Sequence, residues 1–253
     1  MVRGLNLFRE RFAGLEDRYV LIGGTAVDVA MDAAGLEFRL TKDLDIVLHV
    51  QALDAEFARV FWAFIEDGGY EFKDKSTGKP TFYRFRNPKD TSFPVIIELF
   101  SAAPNLAEPP GNVRLTPLPI AEEVASLSAI LLDEDYYGFL KRGIRTEEGL
   151  SVLAPAYIVP LKARAWIDLT ARREAGAEIS SKDIKKHRND IIRLSQLIAP
   201  TQRVELPRTL YDDLTDFSAR ALSDGPEPAT FGVVGMTLEN VRSLVETVYI
   251  RSS

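Results

Sequence analysis

Two periodicities share this chain and change over near residue 120. Before that point short apolar runs alternate with helical patterns; after it helical patterns dominate. RYVLI (18–22) is a brief apolar run that stops at Gly23-Gly24, as a buried strand ending in a tight turn does. TAVDVAMDAAG (25–35) then reads as a helix, with Thr25 near its cap and Gly35 at its end. Residues 43–49 form a second strand. Over 52–69, Phe57, Val60, Phe61, Phe64 and Ile65 fall at helical spacing, closed by Gly68-Gly69. YEFK (70–73) and FYRFR (82–86) are expected strands on either side of a polar turn. SFPVIIELFS (92–101) is a strongly apolar strand, and NVRLTPL (112–118) is a further candidate. Helices are expected over 120–133, 155–174, 181–198, 208–222 and 236–250, whereas 133–153 has no clean period. These patterns predict an α/β domain over 1–119 and a helical C-terminal domain over 120–253.

Composition narrows the chemistry. The chain has 253 residues, 46% of them hydrophobic, enough for one large or two modest cores. With no cysteine, disulfides and thiolate metal sites are excluded. Two histidines, His49 and His187, weigh against a His-rich zinc site. The first residues mix charges without the apolar core of a signal peptide, and no apolar run approaches a membrane span of about 20 residues. The expectation is a soluble cytoplasmic protein with no membrane partner. A net charge of −6 argues against an indiscriminate nucleic-acid binder. Positive charge is nevertheless concentrated between 162 and 203, where basic residues outnumber acids. That stretch suits a solvated helix face, or a local grip on a nucleic-acid backbone.

The chemistry starts at Asp43 and Asp45, in RLTKDLDIVLHV (39–50). Side chains two apart on a strand point to the same side, roughly 7 Å apart at the backbone. Two carboxylates held so repel each other unless a divalent cation sits between them, and oxygen ligands suit Mg²⁺. Upstream, Gly23-Gly24-Thr25 opens a helix, where backbone N–H groups can approach a phosphate. It can equally be an ordinary turn. It is neither a P-loop nor the dinucleotide fingerprint. Together the turn and the Asp-x-Asp strand supply two parts of a nucleotide-transfer site, one for phosphates and one for metals. Glu98 interrupts the apolar run PVIIELF and is the candidate third ligand, since a buried carboxylate is costly unless paired or on a metal. Its other reading is a solvent-facing position on a half-exposed strand.

YVLIGGTAVDVA and RLTKDLDIVL together resemble the nucleotidyltransferase superfamily related to DNA polymerase β. Within it the arrangement is most similar to the AbiEii-type toxins, the toxin half of type IV toxin–antitoxin pairs. Arg39, Thr41, Asp43 and Asp45 match that family's Arg-x-Thr/Ser-x-Asp-hydrophobic-Asp segment. A later family helix carries a lysine, and IVPLKARAWIDLTAR (158–172) supplies Lys162, followed by Ala163 and Ala165. SKDIKKHRNDIIRLSQLI (181–198) fits the basic-then-acidic helical segment, with Lys186 and Asp190 one turn apart. The likeness is strong over 18–48 and loose over 90–100 and 158–198, and the fold it implies is α+β: a small mixed β-sheet with flanking helices, plus a helical C-terminal domain. It implies that Gly23, Gly24 and Thr25 contact nucleotide phosphates, and that Asp43, Asp45 and Glu98 hold Mg²⁺, as two ions. It implies further that Lys162 steadies the triphosphate and that Asp190 lies near the base or ribose, or braces Lys162. Arg39 contacts phosphate or pairs with an acid. Lys162 follows Pro160 at an expected helix start, where a lysine is disfavoured by the dipole. Lys186 and Asp190 fit an ordinary surface pair equally well.

Three functions compete. The first is Mg²⁺-dependent transfer of a nucleoside monophosphate from an NTP to RNA, at the 3′ end of tRNA, with an antitoxin encoded nearby. The second keeps the chemistry with a small acceptor, as in antibiotic nucleotidyltransferases, where a cationic drug would suit the negative net charge. The third is a nucleotide-binding module without catalysis.

Overall fold

The computed structural model describes residues 2–48, 55–71, 84–101 and 133–252. The chain divides into two compact units. The first takes in Met1–Asp32, Arg39–Pro119 and Ile144–Leu153; the second takes in Ala33–Phe38, Ile120–Gly143 and Ala154–Ser253.

The first unit is built on a mixed six-stranded sheet. Its strands are β1 (Tyr19–Leu21), β2 (Asp43–Leu48), β3 (Arg84–Arg86), β4 (Ile96–Ser101), β5 (Ile144–Glu147) and β6 (Leu150–Leu153), in the order β3-β4-β2-β1-β6-β5. β2 runs parallel to β4 and β1 parallel to β6, while the other neighbours are antiparallel. Alternation along each strand decides which face is apolar. Leu44, Ile46 and Leu48 of β2, Phe85 of β3, Ile97 and Leu99 of β4, and Leu150 and Val152 of β6 join one core. Helices α1 (Leu5–Arg11) and α3 (Ala55–Gly68) cover it with Phe8 and with Phe57, Phe61 and Phe64, the last three spaced for one helix face. The rings pack closely: Phe8 and Phe12 stack at 4.2 Å, and Phe64 meets Phe93 at 4.8 Å. Each such side chain contributes on the order of 1.5–3 kcal/mol by burial. The residues between the apolar ones are thereby turned to the opposite face, and they include Asp43, Asp45, Arg84 and Glu98.

Two details depart from the sequence expectations. Helix α2 spans Gly23–Ala33, so the glycine pair forms its first turn instead of preceding it. The second departure concerns the stretch without a period, which holds helix α4 (Glu134–Arg142) and the β5–β6 hairpin. That hairpin follows residue 119 in sequence yet lies in the sheet, unlike the simple division near 120. Its two-residue turn, Glu148-Gly149, has φ of 49° and 75°. A turn of that kind is usually announced by Asn-Gly or Asp-Gly, and a glutamate in the first place hides it.

The second unit is helical, with α4, α5 (Pro155–Glu174), α6 (Ser181–Leu194), α7 (Arg208–Ala221) and α8 (Leu238–Val248). A short parallel pair joins β7 (Val204–Leu206) to β8 (Tyr249–Arg251). Leu169, Ile179 and Ile184 form a small core with Trp166 against it, and Trp166 meets Phe217 edge-on at 5.5 Å. α5 runs unbroken through Pro160. A proline there cannot donate to the carbonyl of Ala156, and the Tyr249 hydroxyl donates to that oxygen instead, at 2.7 Å. Lys162 is therefore well inside the helix, not in its first turn, and the dipole argument for it falls away. The expected strand over 112–118, nearly all of the helix over 120–133, and His49 lie outside the described residues. Among the described residues no helix is long and apolar enough to cross a membrane.

Candidate active site

The site grows from the junction of β1, α2 and β2. The Ile22 N–H donates to the carbonyl of Asp45 at 3.0 Å. The Thr25 hydroxyl, fully buried, donates to the carbonyl of Asp43 at 2.7 Å. The first turn of α2 and the residue before it are thus fastened to the main chain of both aspartates. Thr25 serves that fastening and does not cap its helix. Gly23 has φ +62°, and a Cβ there would overlap the Asp45 carboxylate. At Gly24 a Cβ would lie 2.6 Å from the Thr41 hydroxyl, with the Arg39 guanidinium just beyond. Both glycines are needed because the Asp-x-Asp strand and its approach segment press against the helix start.

Across the sheet the acids meet. Asp45 and Glu98 are direct partners in the β2–β4 register, and Glu98 and Arg84 are partners in the β3–β4 register. Arg84, Glu98 and Asp45 therefore form one row on the face opposite the aromatic core. Glu98 is only 6% exposed, so it does not point to solvent. Arg84 Nε is 2.9 Å from Glu98 Oε1. Burial first, then the charge of Asp45, pushes the Glu98 carboxyl up to about 9; Arg84 pulls the other way, while Asp43 and a hydrogen bond with Asp45 add to the rise. Asp43 and Asp45 are half-buried on the same side of β2.

Among the described residues, no three His, Cys, Asp or Glu side chains are already gathered around a metal position. The donor set nonetheless fits a hard divalent cation. It is made only of oxygens, and Asp45 and Glu98 interact closely enough to favour sharing a proton. A cation between two such acids relieves the same repulsion.

Lys162 and Asp190 lie in the second unit and meet each other. Lys162 Nζ is 2.8 Å from Asp190 Oδ2, with Asp190 fully buried and Lys162 nearly so. Arg193 Nη1 approaches the other carboxylate oxygen at 3.7 Å, and its guanidinium stacks 4.7 Å from the Phe231 ring. Asp190 is therefore no member of a surface pair with Lys186; it is the buried anion that holds Lys162. Sequence reasoning missed Arg84 and Arg193. Arg84 alternates with the core residue Phe85, but only the β3–β4 register reveals its partner. Arg193 lies three residues after Asp190 on α6, a spacing that was there to be read.

A model of the family described as nucleotidyl transferase AbiEii toxin, type IV toxin–antitoxin system, matches residues 7–184. That is well over half of the chain. The chain belongs to the AbiEii family. It is accordingly a nucleotidyltransferase of toxin–antitoxin descent. The matched residues include every site residue named above except Asp190 and Arg193, which lie just beyond. A comparison with curated proteins found no match. Among solved structures, the solution structure of the antibiotic-resistance factor ANT(2'')-Ia is similar at 14% identity and a TM-score of 0.37, covering 87% of this chain and 93% of its own.

Proposed function

We propose that this AbiEii-family enzyme is a Mg²⁺-dependent nucleotidyltransferase of the cytoplasm that moves a nucleoside monophosphate from an NTP to the 3′ end of RNA, with tRNA as the acceptor. The row of Asp45 and Glu98 across neighbouring strands, beside Asp43 and against the Gly23-Gly24 turn, is the observation that carries this reading. Asp43, Asp45 and Glu98 would hold two Mg²⁺ ions, which when bound acidify the acceptor hydroxyl and neutralise the leaving pyrophosphate. The backbone of Gly23 and Gly24 lies where phosphate oxygens can be received at a helix start, with Arg39 supplying a positive charge beside it. The acceptor oxygen bonds the α-phosphorus, pyrophosphate leaves, and the acceptor's proton passes to a carboxylate of the site. Lys162, oriented by Asp190, would steady the triphosphate.

Support for RNA comes from the exposed cations Arg173, Lys182 and Lys185 on α5 and α6, which suit a phosphate backbone. Membership of a type IV toxin family supports a cognate antitoxin as partner. The test is incubation with Mg²⁺, each labelled NTP and total tRNA. The expected result is labelled tRNA, lost by at least about a hundredfold in Asp43→Ala. Labelling that survives the substitution overturns the site. Labelling of an aminoglycoside but never of RNA overturns the acceptor.

A further inference from the structure

Arg84 belongs to the acidic row without being one of its proposed ligands. It is fixed in place by its neighbour: Phe85 is fully buried in the aromatic core, which holds β3 in register with β4. Its guanidinium reaches Glu98 at 2.9 Å, yet its side chain is still 31% exposed, against 8% for that of Glu98. One partner is thus locked in the sheet and the other has a path to solvent. A buried carboxylate beside a second carboxylate needs a compensating positive charge. Arg84 supplies one, in the same row where a divalent cation would supply two.

We propose that Arg84 is a built-in counter-ion for the acidic row, which offsets the negative charge left on the Asp45–Glu98 pair in the cation-free enzyme and competes with the divalent cation for Glu98. The inference rests on the metal-site reading above. Arg84 sets how much cation the enzyme needs before the site fills, since a guanidinium close to a ligand oxygen repels an arriving dication. A residue that merely braced Glu98 as a ligand would have the opposite effect on removal.

Calorimetric titration of the whole chain with Mn²⁺ separates these. Arg84→Gln should bind Mn²⁺ about tenfold more tightly than the parent, with unchanged stoichiometry, while Arg84→Lys, which keeps the charge, should stay within about twofold of it. Arg84→Gln should also gain a larger rise in Tm from Mn²⁺ than the parent does. The double variant Arg84→Gln/Glu98→Gln removes both charges, guards against a folding defect in the single variant, and should lose the tightening. Equal or weaker binding by Arg84→Gln overturns the proposal. An Asp45→Asn control distinguishes the two failures. If Mn²⁺ binding ignores Asp45→Asn, the metal reading fails and the counter-ion with it. If binding is lost in Asp45→Asn but not tightened in Arg84→Gln, the role of Arg84 alone fails.

Discussion

Glu98 is the acid whose chemistry the fold alters most clearly, and it yields a pH prediction. Its ordinary value of 4.5 applies to the unfolded chain, and the folded chain raises it to about 9. Between those limits the folded state keeps a proton that the unfolded state has lost. The stability this group contributes is therefore complete below about pH 4.5 and declines as pH rises through about 9. In EDTA, the urea midpoint of the parent should fall across that window more steeply than that of Glu98→Gln; parallel slopes would rule out this protonation. Asp43, Asp45 and Glu98 were legible in the sequence because a charge that breaks an apolar strand is a local signal. Thr25 was half legible: its place by the turn could be read, but not its bond to the carbonyl of Asp43, which needs the strand alongside. Arg84 was hidden for the same reason, since its meaning depends on which strand lies next to it.

At the scale of elements, α5 shows how a helix tolerates a proline. The carbonyl of Ala156 loses its intrahelical donor to Pro160 and gains the hydroxyl of Tyr249, which is 2% exposed. Tyr249→Phe should cost about 1–3 kcal/mol, the penalty for a buried carbonyl left without a donor. In a Pro160→Ala background, where residue 160 regains its N–H, the same substitution should cost clearly less. Chemical denaturation of the four proteins of this cycle checks both; equal costs in the two backgrounds would show that the hydroxyl does not stand in for the missing donor. The proline made α5 look as though it might start late, yet the apolar spacing over 155–174 gave its bounds. The long helices were readable because their periods repeat for several turns. Helix α1 and strands β7 and β8 were not, because seven residues or three provide too little repetition. In α4 only Tyr136, Phe139 and Leu140 are buried, a pattern too brief to stand out.

At the scale of the molecule, the first unit is assembled from separated pieces of chain. β6 pairs in parallel with β1 through Leu21 and Val152, and contributes Leu150 and Val152 to the aromatic core. A chain cut after residue 119 lacks both, and β1 is left as an open edge. Such a fragment should be aggregated or should lack a cooperative thermal transition, as read by gel filtration and circular dichroism. A monomer melting as sharply as the whole chain would show the hairpin to be dispensable. The turn between β5 and β6 has the wrong residue for its type, so the sequence conceals where the sheet is completed. The order of the strands also imposes a timetable on biosynthesis. Four strands leave the ribosome early, while β5 and β6, which extend the sheet beyond β1, emerge only after α4, and pairings so distant form slowly. The acids of β2 and β4 are thus translated well before the sheet that carries them is complete, and the finished first unit waits on a hairpin made only after α4.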